Sequence, residues 1–167
     1  RFASVLTLYV GFVLLIDRDE VIGPVLAPLT VVTAKLTYWA LSWLGIDAIR
    51  EGNIIAHPGG FAYEIYYSCT GFVLMLSLTV CILAYPAELM RKVVGIALGL
   101  PVLFGLNQLR LVHLYYVGIY APRHFEYIHH VLWESLMILA IASLWLSWVS
   151  WGEVRAWNQS ARALSIR

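Results

Sequence analysis

Charged residues are scarce in this chain. Only 13% of its 167 residues are Asp, Glu, Lys or Arg, whereas a soluble domain has roughly 25%. Eleven basic and ten acidic residues leave a formal net charge of +1, which gives no indication of a nucleic-acid partner. Because 61% of the residues are hydrophobic, the composition excludes an ordinary soluble protein and predicts a single integral membrane domain over residues 1–167.

Cysteine is also scarce, with only Cys69 and Cys81. The twelve positions between them correspond to about 18 Å on one helix, which is too far for a disulfide. Five histidines are present, but neither C-x-x-C nor H-x-x-x-H occurs, and these are common spacings of metal ligands. We therefore expect no disulfide, no metal and no other cofactor.

Long apolar stretches dominate what is present. A membrane-spanning helix needs about 20 apolar residues, with a range of roughly 17–25. Five stretches reach or approach that length, and they cover residues 2–16, 21–46, 70–85, 93–118 and 128–151. The fold class predicted is an all-α membrane protein with about five transmembrane helices. Pro24 and Pro28 predict a kink or a late start in the second of them.

The segment 47–68 differs from the rest of the chain. It is rich in β-branched and aromatic residues on both sides of Pro58-Gly59-Gly60, which is a turn signal. This pattern predicts a small external β-hairpin, with strands near residues 53–57 and 61–67, that leads directly into Cys69. Because an isolated hairpin is marginally stable in water, it must pack on the ends of the helices.

Basic residues in short loops predict the orientation. Arg91 and Lys92 lie between the third and fourth stretches, and three arginines lie in the tail, residues 152–167. Two spans separate these regions, so both are expected on the cytoplasmic side, with the hairpin and the loop 121–127 outside. Counting back places the N-terminus outside too, unless stretch 2–16 is not a full crossing or stretch 21–46 is partly re-entrant.

Arg110 lies inside the apolar stretch 93–118. A guanidinium at membrane depth is costly unless it is paired or faces a wet cavity, so it is a candidate functional residue. Asn107 and His113, at i−3 and i+3, share its helix face. We expect this polar stripe to face a cavity on the external side. A structural salt bridge from Arg110 to Glu134 is the alternative.

Cys69 and His129 stand at the external ends of the two neighbouring stretches. Free N–H groups at a helix start favour a thiolate, and a nearby histidine could take and return the thiol proton. With Arg110 as oxyanion stabiliser, the three side chains suit nucleophilic catalysis by cysteine. Alternatively, Cys69 fills a helix interface, and one of His129 and His130 is simply solvated. Cys81 lies deeper and is expected to be structural.

Three short motifs occur in a fixed order on three spans. They are Cys69-Thr70-Gly71 after the hairpin, Asn107-x-x-Arg110 in the next span, and His129-x-x-x-Trp133 at the start of the last. Together they resemble the exosortase/archaeosortase family of membrane cysteine proteases, and the compact length is most similar to the short exosortase H type. The resemblance covers residues 24–146.

The resemblance implies a cysteine peptidase or transpeptidase in the inner membrane of a Gram-negative bacterium, with its active site facing the periplasm. Such enzymes are thought to cleave C-terminal sorting signals of exported proteins, each consisting of a short motif, a transmembrane helix and a basic cluster. Carried over by position, Cys69 is the nucleophile, Arg110 the oxyanion-side arginine and His129 the general base or acid. The residues expected to support the site are Asn107, His113, His130 and Trp133.

Two other functions compete with this hypothesis. A small transporter or channel subunit could use Arg110 and the histidines as a polar path, but it should carry charges along its whole depth. Here the polar residues crowd the external third of the spans. A scaffold subunit would not need a cysteine near a buried arginine. The expected partners are membrane lipid and protein substrates, while the acceptor (water, an amine or a glycan) and the oligomeric state are left open.

Overall fold

The computed structural model describes the backbone of residues 19–165 and the side chains of residues 25–152. The helices are α1 (Asp19–Trp43), α2 (Phe72–Ala84), α3 (Leu89–Tyr120), α4 (Phe125–Tyr127) and α5 (Glu134–Ser165). The strands are β1 (Ile49–Glu51), β2 (Ile54–Ala56) and β3 (Ala62–Glu64). Two 3₁₀ turns, Tyr67–Thr70 and Pro122–His124, and a π-helical segment, Ile128–Trp133, complete the described part.

Three helical segments of the described part are long and apolar enough to cross a membrane. They are Val25–Trp43, Leu89–Tyr120 and Pro122–Gly152. The helical membrane fold is therefore confirmed, whereas the count of five spans is not. The first predicted span, residues 2–16, lies outside the described residues.

The predicted span over residues 70–85 is a shorter helix than expected. Helix α2 has 13 residues and so extends about 20 Å, less than the roughly 30 Å of a bilayer core. Gly71 precedes it in the left-handed conformation, with φ 75°, and separates it from the 3₁₀ turn. At the other end Tyr85 is extended, as expected for a residue before a proline. Local backbone geometry therefore cuts this helix at both ends.

Helix α1 is continuous through Pro24 and Pro28. Its apolar part, Val25–Trp43, has 19 residues, enough to cross a bilayer. This length favours a full crossing over the re-entrant segment considered above.

The predicted hairpin is a three-stranded antiparallel sheet with the order β1-β2-β3. Ile55 in the central strand pairs with Arg50 on one side and with Tyr63 on the other. Strand β1 was not among the predicted strands, although Gly52-Asn53 between β1 and β2 is a two-residue hairpin signal and Gly52 has φ 60°. Two of the three residues of β1, Arg50 and Glu51, are charged, so composition did not indicate a strand there.

The sheet packs on the C-terminal end of α3, as the sequence predicted. The Tyr115 hydroxyl contacts the carbonyls of Asp47 and Ala56, at 2.6 and 3.2 Å. The Tyr63 hydroxyl donates to the carbonyl of Leu111 at 3.2 Å. Both tyrosines therefore tie the sheet to one helix by hydrogen bonds that reach the main chain.

An aromatic contact adds the 121–127 loop to the same end. The Phe61 ring lies against Gly118, where a methyl group would overlap it. The centroid of the same ring is 5.7 Å from that of Phe125, in the edge-to-face geometry that aromatic pairs prefer. The sheet, the end of α3 and the 121–127 loop thus form one end of the molecule.

The opposite end is held by Arg91. Its Nη2 donates to the carbonyls of Trp148 and Val149, each at 2.9 Å, and the Trp148 indole N–H donates to the Arg91 carbonyl at 3.0 Å. The first turn of α3 and the start of the tail at Gly152, which lies against the Arg91 guanidinium, are therefore at the same end, as the charge pattern predicted. Helix α5 continues through that tail to Ser165.

Candidate active site

A cavity of about 340 Å³ opens at the sheet end of the bundle. Cys69, Arg110 and His129 all line it, although they come from a 3₁₀ turn, from α3 and from the π-helical segment. His130 and Glu134 lie at the same cavity. The remaining lining residues include Val73 and Leu74 of α2 and Met137 and Ile138 of α5. The cavity is therefore polar beside the sulfur and apolar toward the two helices.

Cys69 belongs to the 3₁₀ turn and not to the first turn of α2. Its backbone N–H donates to the carbonyl of Tyr66 at 2.9 Å. The expected position at a helix start, with an unpaired N–H, is therefore wrong, because Gly71 turns the chain between the cysteine and α2. Stabilisation of a thiolate must come from elsewhere, and Arg110 is the cation that shares the cavity.

Asn107 holds the turn that carries the cysteine. Its Nδ2 donates to the Cys69 carbonyl at 2.9 Å, and the side chain is fully buried. A Cβ at Gly71 would lie 3.0 Å from the Asn107 Cγ, so this glycine is required by contact as well as by its positive φ. The Cys69-Thr70-Gly71 and Asn107-x-x-Arg110 motifs thus meet, with Asn107 at the turn and Arg110 at the cavity.

Thr70 closes the same turn. Its buried hydroxyl donates to the carbonyl of Tyr67 at 2.6 Å and accepts from the Phe72 N–H at 3.3 Å. A short hydroxyl side chain can make such local bonds to nearby backbone groups. The middle residue of the first motif therefore supports the shape of the turn.

Arg110 is only 6% exposed and has no acidic partner. Its Nε is buried without a hydrogen-bond partner, and it makes no ion pair within the described part of the chain. The alternative of a salt bridge to Glu134 is wrong, since the ion pairs of the described residues include none between Arg110 and Glu134, and that carboxylate contacts His130 at 3.2 Å. A buried guanidinium with spare donor capacity beside a cavity is suited to hold an anion.

His129 and His130 lie in the π-helical segment, and both line the cavity. His130 is bonded on both sides, to Glu126 at 3.3 Å and to Glu134 at 3.2 Å. His129 makes no ion pair among the described residues, and the charge of Arg110 acts on its ring. His130 is exposed and His129 is half-buried, which agrees with the expectation that one of the two histidines is solvated, although both line the cavity.

His113 and Trp133 are near the site but are not among its lining residues. The Trp133 indole N–H donates to the His113 Nδ1 at 3.0 Å. The predicted polar stripe is therefore right for Asn107 and Arg110, which are buried, and wrong for His113, which is exposed. His113 lies about one helical turn after Arg110, and at that level α3 no longer lines the cavity.

Tyr63 is a neighbour of the cysteine that the sequence analysis did not single out. It packs in the same core cluster as Cys69. Burial raises the pKa of Tyr63 above its usual range, with smaller contributions from Cys69 and Tyr115. Its hydroxyl thus stays protonated and donates to the carbonyl of Leu111. The alternation of β3 was the only sequence signal that could have indicated its inward direction.

Both cysteines are free thiols, and Cys81 is not among the residues that line the cavity. Within residues 25–152, no three His, Cys, Asp or Glu side chains are grouped so that they could hold a metal ion. The ionisable groups at the cavity are a thiol, two imidazoles, a guanidinium and the Glu134 carboxylate.

Neither a search of curated proteins nor a search of solved structures found a match. The family model of the transmembrane exosortases matches residues 2–161 of the 167. This match confirms the resemblance drawn from the three motifs, and with the three apolar helices it establishes a multi-pass membrane protein. The chain therefore belongs to the transmembrane exosortase family.

Proposed function

We propose that this protein is a cysteine peptidase or transpeptidase that cleaves C-terminal sorting signals of exported proteins at the outer face of the inner membrane. The observation that carries the proposal is that Cys69, Arg110 and His129 line one cavity. Family membership supports the same activity. The position of Arg91 and Lys92 at the opposite end supports a cavity that faces the periplasm.

In the first half of the reaction, His129 takes the proton of the Cys69 thiol. The thiolate then attacks the carbonyl carbon of the scissile peptide bond, and a carbon–sulfur bond forms. The carbonyl oxygen becomes an oxyanion, which the Arg110 guanidinium stabilises. Loss of one such donor typically costs about 10²–10³ in rate.

In the second half, the tetrahedral intermediate collapses and its carbon–nitrogen bond breaks. His129 returns the proton to the departing amine, and the substrate remains as a thioester on Cys69. Water, an amine or a glycan hydroxyl then attacks the thioester while His129 takes its proton, the carbon–sulfur bond breaks, and the proton returns to the Cys69 thiolate. The first acceptor makes the enzyme a protease, and the other two make it a transferase.

The apolar side of the cavity suits a substrate that arrives through the bilayer. Val73 and Leu74 of α2 and Met137 and Ile138 of α5 form this side. A transmembrane helix of the sorting signal would pack there and leave its basic cluster at the cytoplasmic end. The scissile bond would then lie just outside the hydrocarbon core, at the level of Cys69.

The test uses a reporter protein that ends in a sorting signal encoded in the same genome. We expect Cys69→Ala to abolish cleavage, whereas the matched control Cys81→Ala leaves it largely intact. The ratio of full-length to cleaved reporter on a blot, normalised to inserted enzyme, is the measurement. A well-inserted Cys69→Ala protein that still cleaves the reporter would refute the proposal.

A further inference from the structure

The His113–Trp133 contact joins the two helical segments that carry the reacting groups. The indole N–H and Nδ1 are 3.0 Å apart, and the ring centroids are 5.7 Å apart in edge-to-face geometry. Trp133 is 8% exposed and packs with Leu114 and Met137. The only polar group of this buried indole, its N–H, thus forms its hydrogen bond with a single side chain of α3.

Both partners lie one helical turn from a cavity residue. His113 follows Arg110 by three positions on α3, and Trp133 follows His129 by four positions in the last helical segment. The hydrogen bond between His113 and Trp133 limits sliding and rotation of one helical segment against the other. The relative position of the guanidinium and the imidazole depends on that register.

The π-helical segment makes this register sensitive. Its i→i+5 turns are rare and occur mostly as single turns near functional sites. Conversion of Ile128–Trp133 to an α-helix would rotate His129 about the helix axis relative to the residues after Trp133. Trp133 is the last residue of this segment, so a bond from its side chain to α3 anchors the segment where ordinary helix resumes.

We infer that His113 and Trp133 are positioning residues, whose hydrogen bond keeps Arg110 and His129 on the same cavity. This inference rests on the proposed function. The indole nitrogen can only donate, so Nδ1 of His113 must be the unprotonated nitrogen. The hydrogen bond to Trp133 therefore requires an acceptor at position 113, and the Oδ1 of an asparagine can supply one.

Three variants in purified, membrane-reconstituted enzyme test the inference with the reporter as substrate. Trp133→Phe removes the donor, His113→Leu removes the acceptor, and His113→Asn keeps an acceptor. Small misplacements of catalytic groups cost up to about 100-fold in rate. We expect kcat to fall about 10- to 100-fold in the first two variants with little change in KM, and His113→Asn to recover most of it.

Folding is controlled in the same proteins. His113 is exposed, so His113→Leu and His113→Asn should both insert normally even if Trp133→Phe does not. In ¹⁵N-tryptophan-labelled enzyme, the indole signal lost in Trp133→Phe should shift in His113→Leu and stay near its position in His113→Asn. That signal reports the bond itself, which a general loss of packing would not restore.

Two results would overturn the inference. One is wild-type kcat in inserted His113→Leu, and the other is equal loss in His113→Leu and His113→Asn. The proposed function fails separately, if Cys69→Ala cleaves the reporter in this assay. An inactive Cys69→Ala enzyme beside a fully active His113→Leu enzyme refutes the positioning role alone.

Discussion

Each end of the bundle contains an arginine and a tryptophan, but they are used differently. At the end opposite the sheet, Arg91 bonds to two carbonyls of α5, and its guanidinium lies 4.6 Å from the Trp148 ring centroid. At the sheet end, Arg110 is buried with no hydrogen bond or ion pair in the described part. The Arg91 guanidinium is used in contacts that hold the helices together, whereas the Arg110 guanidinium has donors available at the cavity.

The two tryptophans differ in the same way. Trp148 donates to a backbone carbonyl, which every residue type at position 91 would offer. Trp133 donates to an imidazole, which only particular side chains can replace. A main-chain partner makes a contact tolerant of substitution, whereas a side-chain partner ties it to one residue. The two tryptophans are buried to the same degree, so the comparison teaches that the type of hydrogen-bond partner distinguishes them.

The sharpest way to break the comparison is to replace each arginine by lysine. Lysine keeps the charge but lacks the planar set of donors. We expect Arg110→Lys to reduce reporter cleavage by about 10²–10³, as for loss of an oxyanion donor. Arg91→Lys should leave cleavage per inserted molecule close to wild type. Wild-type cleavage by Arg110→Lys would mean that Arg110 supplies bulk charge or serves structure.

Thiol labelling compares the accessibility of Cys69 at the cavity with that of Cys81 on α2. In intact cells, a membrane-impermeant maleimide should modify Cys69, which lines the open cavity, and leave Cys81 on α2 unmodified. Single-cysteine variants report each site separately. Absence of labelling at Cys69 would contradict an outward-facing site, because the reagent reaches only the periplasmic side.

Two glycine substitutions sharpen the contrast. Gly71→Ala places a side chain in the left-handed region, at roughly 1–2 kcal/mol, and crowds Asn107. We expect cleavage to fall, because the Asn107 bond to the Cys69 carbonyl is disturbed. Gly95→Ala overlaps the Trp148 indole and should cost roughly 1–3 kcal/mol of stability. Its cleavage per folded molecule should be unchanged, and thermal unfolding in detergent gives the stability of both.

The smallest effect is expected at Tyr63. Tyr63→Phe keeps the packing behind Cys69 and removes one hydrogen bond to the Leu111 carbonyl, a loss of about 1 kcal/mol. Cleavage should fall only slightly. A large loss would instead show that the Tyr63 hydroxyl acts on the thiol or the substrate, and Tyr115→Phe, at the same sheet, is the matched control.

The length of apolar stretches determined the helices well where no special backbone geometry intervenes. The stretches 21–46, 93–118 and 128–151 each fall largely within one of the three long helical segments, because the preference of apolar side chains for lipid depends on local composition. The stretch 70–85 contains only α2, since Gly71 and the extended Tyr85 end the helix on both sides. Apolar composition does not report such backbone breaks.

By itself, the sequence determined the membrane fold, the two strands on either side of Pro58-Gly59-Gly60 and the candidate residues Cys69, Arg110 and His129. Each follows from composition, turn chemistry or the cost of charge in lipid, all of which act over short stretches of chain.

Only the tertiary structure decided which candidates meet. It placed Asn107 on the Cys69 carbonyl, directed His113 away from the cavity to Trp133, and left Arg110 without an acidic partner among the described residues. These outcomes depend on how α3 and the last helical segment are rotated against each other. Rotation is set by packing between residues distant in the chain, which no local pattern contains.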